Sequence, residues 1–277
     1  MDQQKILIAA HRGTAGGNIP FNVTPAFECA LAQRADILEL DVSKSRDGVL
    51  YVFHPKLEPV FLGIDTLLSD MDSPEIDKLR YLNFDRAVTQ YPIERLEEVL
   101  KTFRGRCRIN VDKFWVAPLE IAALIRELGM QDQVLVKSRF SPEALRDAQE
   151  YALDLPYMPV YYDVPYLPKY CDVIDPEEAF RDFRGRWEGV ELCFSSEDSP
   201  LAQRSFVEKA HRQGKKLWIN SIVYNYKKVL SAGHNDDVAV AGDPDKGWGW
   251  LAQQGYDIIQ TDFPLMLHEY LTQKGLR

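Results

Sequence analysis

Glu39 and Asp41 lie two residues apart in Ile37-Leu38-Glu39-Leu40-Asp41-Val42-Ser43. In a strand, that spacing puts both carboxylates on one face with Ser43, while Leu38, Leu40 and Val42 take the other. Two acids at the end of an apolar strand are costly to bury unless positive charge sits between them. A hard divalent cation, magnesium or calcium, is the species that carboxylate oxygens hold best. For this stretch alone, an edge strand with its acids in water is an equal alternative. His11 and His54 end two other apolar runs, and imidazoles exchange protons near neutral pH.

The same alternation can be followed through the chain. Ile6–Ala10, Ile37–Val42, Ile109–Asp112, Val134–Lys137, Tyr157–Tyr161, Gly189–Cys193, Leu217–Asn220 and Ile258–Thr261 read as strands, each apolar early. Their inward series end on His11 (with Arg12 next), Glu39 and Asp41, Asn110 and Asp112, Lys137, Glu191, Trp218 and Asn220, and Asp262. Taken singly, each has an ordinary explanation. A lone histidine after a strand is usually a hydrogen-bonded structural residue, Lys137 could be a surface lysine, and Glu191 could pair with an arginine. Asp262, with Pro264 close behind, reads as the cap of the last helix. Collected at one end of one sheet, three carboxylates, two histidines and an arginine suit phosphate-ester chemistry, with a metal, an acid/base pair and a cation for the phosphate.

Amphipathic segments separate these strands. Glu94–Arg104 carries Leu96, Val99, Leu100 and Phe103 at helical spacing and stops at Gly105; Pro118–Leu128 and Gln203–Gln213 behave alike. Pro25, Pro118, Pro142, Pro176, Pro200 and Pro264 fall where helices would start, a position that tolerates a missing N–H. Thr24, Ser141, Asp175 and Ser199 precede four of them as N-cap candidates. Eight strands alternating with helices predict a parallel (β/α)₈ TIM barrel. An open doubly wound sheet is the runner-up, but His11-Arg12-Gly13-Thr14-Ala15-Gly16-Gly17 is not a dinucleotide-binding fingerprint. Two stretches depart from the alternation. Arg46-Asp47-Gly48 reads as a turn into an extra hairpin strand, Val49–His54, and Pro55–Pro92 as an aperiodic insertion at the barrel mouth. Ser221–Gly247, rich in Gly and Asp, suits a lid. One domain spanning 1–277 is expected.

Composition weighs against several classes of function. The 277 residues are 45% hydrophobic and 27% charged, with a net charge of −9, which disfavours binding to nucleic acid or an anionic membrane surface. Cys29, Cys107, Cys171 and Cys193 lack metal-site spacing and read as buried thiols. No run approaches the ~18 apolar residues of a membrane span, so stable membrane insertion is not expected. The start Met1-Asp2-Gln3-Gln4 leads straight into a strand. A cytoplasmic protein is expected if that start is natural, and a periplasmic or secreted one if a signal peptide has been trimmed. Apolar residues in 55–92 would serve either a homo-oligomer or a substrate cap.

Several motifs occur together in order. These are His11-Arg12-Gly13, Pro20-Phe21-Asn22-Val23-Thr24-Pro25, Ala35-Asp36-Ile37-Leu38-Glu39-Leu40-Asp41-Val42, Asp47-Gly48 and Val52-Phe53-His54, with Leu217-Trp218-Ile219-Asn220 and Gly255–Pro264 later. The pattern resembles that of the glycerophosphodiester phosphodiesterases. The resemblance implies a TIM barrel that hydrolyses small phosphodiesters to glycerol 3-phosphate and an alcohol with one divalent cation, Mg²⁺ or Ca²⁺. By position, Glu39, Asp41 and Asp112 would hold the metal, His11 and His54 would be the acid/base pair, and Arg12 would hold phosphate. Asn22, Lys137, Glu191, Trp218 and Asn220 would line the substrate site. Two departures stand out. Phe21 and Val23 replace a glutamate and a threonine of the family motif. Phe114 stands where a lysine follows the third metal ligand; alternation points the adjacent Lys113 away, leaving Lys137 as the substitute. The alternatives are a related enzyme acting on a lysophospholipid, sugar-phosphate or inositol diester, and a barrel that binds phosphate esters without cleaving them.

Overall fold

The computed structural model describes residues 5–164, 183–223 and 228–277. Its strands in chain order are β1 (Leu7–Ala10), β2 (Ile37–Lys44), β3 (Leu50–Val52), β4 (Arg80–Leu82), β5 (Val88–Pro92), β6 (Arg108–Asp112), β7 (Val134–Arg139), β8 (Pro156–Asp163), β9 (Arg186–Trp187), β10 (Gly189–Phe194), β11 (Lys216–Asn220) and β12 (Ile258–Thr261). β1, β2, β6, β7, β8, β10, β11 and β12 run parallel in that order, and β1 pairs with both β2 and β12. That closure makes a barrel and rules out the open sheet.

The alternation seen in the sequence builds the barrel in layers. Ala9, Ile37, Leu135, Met158, Trp218 and Ile258 meet inside it as an apolar plug. Two residues further along the same strands come His11, Glu39, Lys137, Val160, Asn220 and Gln260, so the polar layer rests directly on the plug. The intervening residues Ile8, Ala10, Leu38, Leu40, Ile109, Val111 and Ile219 face outward into the main core. Helices such as Thr24–Ala32, Leu96–Phe103, Pro118–Glu127, Arg204–Arg212 and Pro264–Gln273 cover them.

The second strand is extended by the expected hairpin. β3 pairs antiparallel with the end of β2, Val42 opposite Val52 and Lys44 opposite Leu50. Residues 55–92 fold as helical turns at Glu58–Phe61 and Ser73–Ile76, a 3₁₀ turn at Leu68–Asp70 and the β4–β5 hairpin. These pieces are too short to leave a readable period. They gather around an apolar cluster that includes Tyr51, Phe53, Leu62, Leu68, Ile76, Tyr81 and Ile93.

Two of the expected caps form: Ser141 Oγ accepts from Ala144 N at 3.1 Å, and Ser199 Oγ from Leu201 N at 3.2 Å. Thr24 does not cap its helix; it is the first helical residue, and its hydroxyl donates to Glu94 Oε2 at 2.6 Å. Asp175, Pro176 and Cys171 lie outside the described residues. Cys193 is buried, while Cys29 and Cys107 are only half-buried.

Gly13 follows Arg12 with φ +77°, and a Cβ there would come within 2.7 Å of the Ala26 carbonyl carbon. Only glycine lets the helix at 24–32 approach the end of β1 this closely. Gly13→Ala should cost more than about 1 kcal/mol, or about 2–4 °C per kcal/mol for a chain of this size. A thermal melt unchanged from wild type would contradict that packing.

Candidate active site

Strand register alone assembles most of the predicted residues. Asp41 on β2 is opposite Asp112 on β6. At the barrel seam Ala10 is opposite Thr261, which sets His11 beside Asp262. Oxygens of Glu39, Asp41 and Asp112 lie within 4.8 Å of one another. Cation–oxygen distances of roughly 2.0–2.6 Å make that a span one hard ion can bridge.

Each acid has its own electrostatic state. Burial, then the neighbouring charges of Asp41 and Asp112, push the Glu39 carboxyl well above the ordinary range. Burial also opposes ionisation of Asp41, but Arg12 and Lys113 outweigh it and hold that carboxyl far below the ordinary range. Asp112 is likewise lowered, with Lys113 outweighing its burial. Asp41 Oδ2 lies 2.8 Å from Arg12 Nε and accepts from Asn22 Nδ2 at 3.0 Å. Asp41 Oδ1 is buried without a hydrogen bond, 3.3 Å from Lys113 Nζ. An anionic oxygen left in that condition and facing two further carboxylates fits a divalent cation.

Lys113 corrects the sequence reading. Its φ of +64° breaks the alternation at the end of β6 and turns the ammonium inward, onto Asp112 Oδ2 and toward Asp41. Arg12 and Asn22 are also left-handed, at φ +57° and +60°. Three of the seven positive-φ non-glycine residues among those described therefore surround Asp41, a concentration of backbone strain usual at functional sites.

The two histidines present different faces. His54 Nδ1 meets the Pro55 carbonyl at 2.8 Å; a carbonyl only accepts, so this nitrogen carries the proton. Its Nε2 then holds a lone pair 4.0 Å from Asp41 Oδ1. Burial brings the His54 pKa down to about 4, against the pull of Asp41, so the ring is neutral at pH 7. His11 donates from Nδ1 to Asp262 Oδ1 at 2.9 Å, and the residue lines the cavity. Asp262 is therefore not the helix cap read from the sequence; the last helix has Phe263 at its N-cap position with no side-chain cap.

His11, Arg12, Glu39, Asp41, Asp112 and Lys113 line one cavity together with Lys137, Glu191, Asn220 and Gln260. In the same cavity, Glu191 accepts from Lys137 Nζ and from Asn220 Nδ2, each at 2.6 Å. The Lys137 ammonium lies 3.0 Å from the centroid of the Trp218 ring, and its burial lowers its pKa despite Glu191. Asn220 Oδ1 has no hydrogen-bond partner among the described residues. Trp218 is fully buried beneath the cavity and does not line it; Asn22 likewise supports Asp41 from outside. Phe21 stands beside His11, ring centroids 6.2 Å apart, and meets Phe61 of the 55–92 segment edge-on at 6.4 Å.

Sequence reasoning missed Lys113 and Gln260 as parts of this site, and gave Asp262, though at the end of the inward series, to the helix cap. Closing the barrel on paper would have found Asp262, since the ends of β1 and β12 must then be neighbours.

A family model described only as a domain of unknown function matches residues 174–271. The glycerophosphodiester phosphodiesterase of Caldanaerobacter subterraneus subsp. tengcongensis is 30% identical over 156 residues, 53% of this chain and 63% of that protein. Mouse lysophospholipase D GDPD3 is 39% identical over 71 residues, 26% of this chain and 21% of that one. The chain spans less than two-thirds of the length of the curated relatives it matches. The crystal structure of an Agrobacterium tumefaciens glycerophosphodiester phosphodiesterase superposes with a TM-score of 0.68 at 26% identity, covering 95% of this chain and 99% of that one.

The crowding of acids makes a stability prediction. In chelator at neutral pH, Glu39→Gln should melt about 2 °C or more above wild type, the shift that ~1 kcal/mol produces in a chain of this size. Because the folded-state carboxyl titrates above its unfolded value, the wild type recovers as pH falls and the gap should close in the acid range. A variant less stable than wild type at neutral pH would contradict the charge assignment.

Proposed function

We propose that this chain is a member of the glycerophosphodiester phosphodiesterase family, which its relatives and structural neighbours support, and that it hydrolyses glycerophosphodiesters to glycerol 3-phosphate and an alcohol. The observation that carries this reading is the cluster of Glu39, Asp41 and Asp112, with His11 lining the same cavity and His54 Nε2 4.0 Å from Asp41 Oδ1. Glu39, Asp41 and Asp112 would hold one Mg²⁺ or Ca²⁺. When bound, such a cation offsets the charge that accumulates on a phosphoryl oxygen.

The remaining steps belong to the chain. Arg12 and Lys113, on either side of Asp41, present positive charge to the non-bridging phosphate oxygens. His54, neutral and with its Nε2 lone pair available, takes the proton from the attacking hydroxyl: that of water, which gives glycerol 3-phosphate directly, or that of the neighbouring glycerol carbon, which gives a cyclic phosphodiester that water then opens to glycerol 3-phosphate. His11, steadied at Nδ1 by Asp262, delivers a proton from Nε2 to the departing alkoxide. Asn220 Oδ1 and Glu191 offer acceptors to the glycerol hydroxyls, while Lys137, propped on Trp218, keeps Glu191 in place.

His11→Asn and His54→Gln should each lower turnover of glycerophosphocholine by ~10²–10⁴-fold without unfolding the chain, and chelation should abolish it until Mg²⁺ or Ca²⁺ is restored. Full activity in either variant, or after exhaustive chelation, would contradict the mechanism.

A second reading rests on Phe21 and Phe61. Their rings give the wall beside His11 an apolar character, where the family motif carries a glutamate. That wall favours a diester whose glycerol bears an acyl chain, as the name of the mouse relative suggests. Comparing glycerophosphocholine with lysophosphatidylcholine separates the two readings: a kcat/KM at least tenfold higher on the lysolipid, lost in Phe21→Glu, supports the second, and equal or lower activity on the lysolipid excludes it.

A further inference from the structure

Asp236 is buried at the start of the helix Asp236–Ala241, within the 221–247 stretch and outside the cavity. Its Oδ1 accepts from Ser221 Oγ at 2.6 Å, from Thr261 Oγ1 at 2.8 Å and from Trp248 Nε1 at 2.8 Å. Its Oδ2 accepts from the Asp262 backbone N–H at 2.9 Å. Its own backbone N–H donates to Ser221 O at 2.7 Å. One carboxylate therefore ties the residue after β11, the last residue of β12, Asp262 just beyond it, and the indole from the 245–249 turn. These donors match the lone pairs that a buried carboxylate must satisfy, with the Ser221 hydroxyl shared with Gln260 O at 2.8 Å, and because two of them come from Thr261 and the Asp262 N–H they fix the main chain at 261–262.

That piece of main chain carries Asp262, whose carboxylate holds His11 Nδ1, and its Thr261 carbonyl accepts from the His11 backbone N–H at 3.1 Å. We propose that Asp236 is a positioning residue for the His11–Asp262 pair: by gripping the end of β12 it sets the Asp262 carboxylate at the distance and angle that hold His11 Nε2 toward the substrate. The assignment rests on the proposed role of His11 as proton donor to the leaving group. Burial raises the Asp236 pKa to about 7 against the hydrogen bonds from Ser221 and the Asp262 N–H. The charged group near it is Asp262, with the neutral Ser221, Thr261 and Trp248 completing its surroundings.

The test is Asp236→Asn in the full chain, which keeps the shape but turns one acceptor into a donor. On glycerophosphocholine, kcat should fall by about 10–100-fold, the range typical when the partner behind a functional side chain is lost, with KM little changed. On bis(p-nitrophenyl) phosphate, whose leaving group needs no proton, the loss should be less than about threefold. The double variant with Asp262→Asn should be no slower than Asp262→Asn alone, because both act through the same imidazole. Equal losses on both substrates, or additive losses in the double variant, would overturn the proposal. Should Asp236→Asn fail to fold, Ser221→Ala and Thr261→Val, each deleting one donor to Oδ1, must show the same substrate-dependent loss in smaller measure; wild-type kinetics in both would overturn it. Histidine ¹⁵N NMR provides a readout that needs no turnover. The protonated, hydrogen-bonded Nδ1 of His11 should lose its wild-type shift in Asp236→Asn, and an unchanged signal overturns the proposal even if the wild type cleaves neither substrate.

Discussion

Everything at the mouth of this barrel answers to the burial of the Asp41 carboxylate. A carboxylate so deeply buried is tolerable only with positive charge and hydrogen bonds around it, and the chain supplies both through unusual backbone. Arg12, Asn22 and Lys113 all take left-handed conformations to reach it. Glu39 and Asp112 then add negative charge beside it. The result is a cluster whose charge balance would improve if a divalent ion joined it. Lys113, bonded to Asp112 and close to Asp41, is the internal cation that makes the cluster tolerable without one.

The barrel turns that constraint into geometry. Parallel strands in register put Asp112 beside Asp41, and closure at the β1–β12 seam puts Asp262 beside His11. Below them the Ala9–Ile37–Leu135–Met158–Trp218–Ile258 plug forms an apolar floor, on which Glu191 accepts from Lys137 and Asn220. Hydrogen bonds that would be weak in water are stronger there. The 55–92 segment adds His54's surroundings and Phe61, while the segment after β11 adds Asp236 beneath the His11–Asp262 pair.

Much of this was legible in the sequence because strands repeat every two residues. The alternation in Ile37–Ser43 gave the shared face of Glu39 and Asp41, and the same rule gave Lys137, Glu191 and Asn220 inward positions that the barrel keeps. The rule failed where the strand stops. Lys113 lies one residue past β6 and escapes it through a positive φ, a choice that nothing in Asp112-Lys113-Phe114 announces. Asp262 was misread for a different reason: the nearby Pro264 invites a capping role, and only the non-local seam between β1 and β12 reveals its partner. Asn22 bonds Asp41, Trp218 underlies the polar layer, and neither lines the cavity, because a motif reports proximity and not which atoms reach it.

The most direct test of the central claim is anomalous diffraction from crystals of the chain soaked in Mn²⁺, a cation with the same preference for oxygen ligands. The account predicts one strong peak among the carboxylates of Glu39, Asp41 and Asp112, with the Lys113 ammonium displaced from its position between Asp41 and Asp112. No peak there at saturating Mn²⁺, with Lys113 still bonded to Asp112, would contradict it.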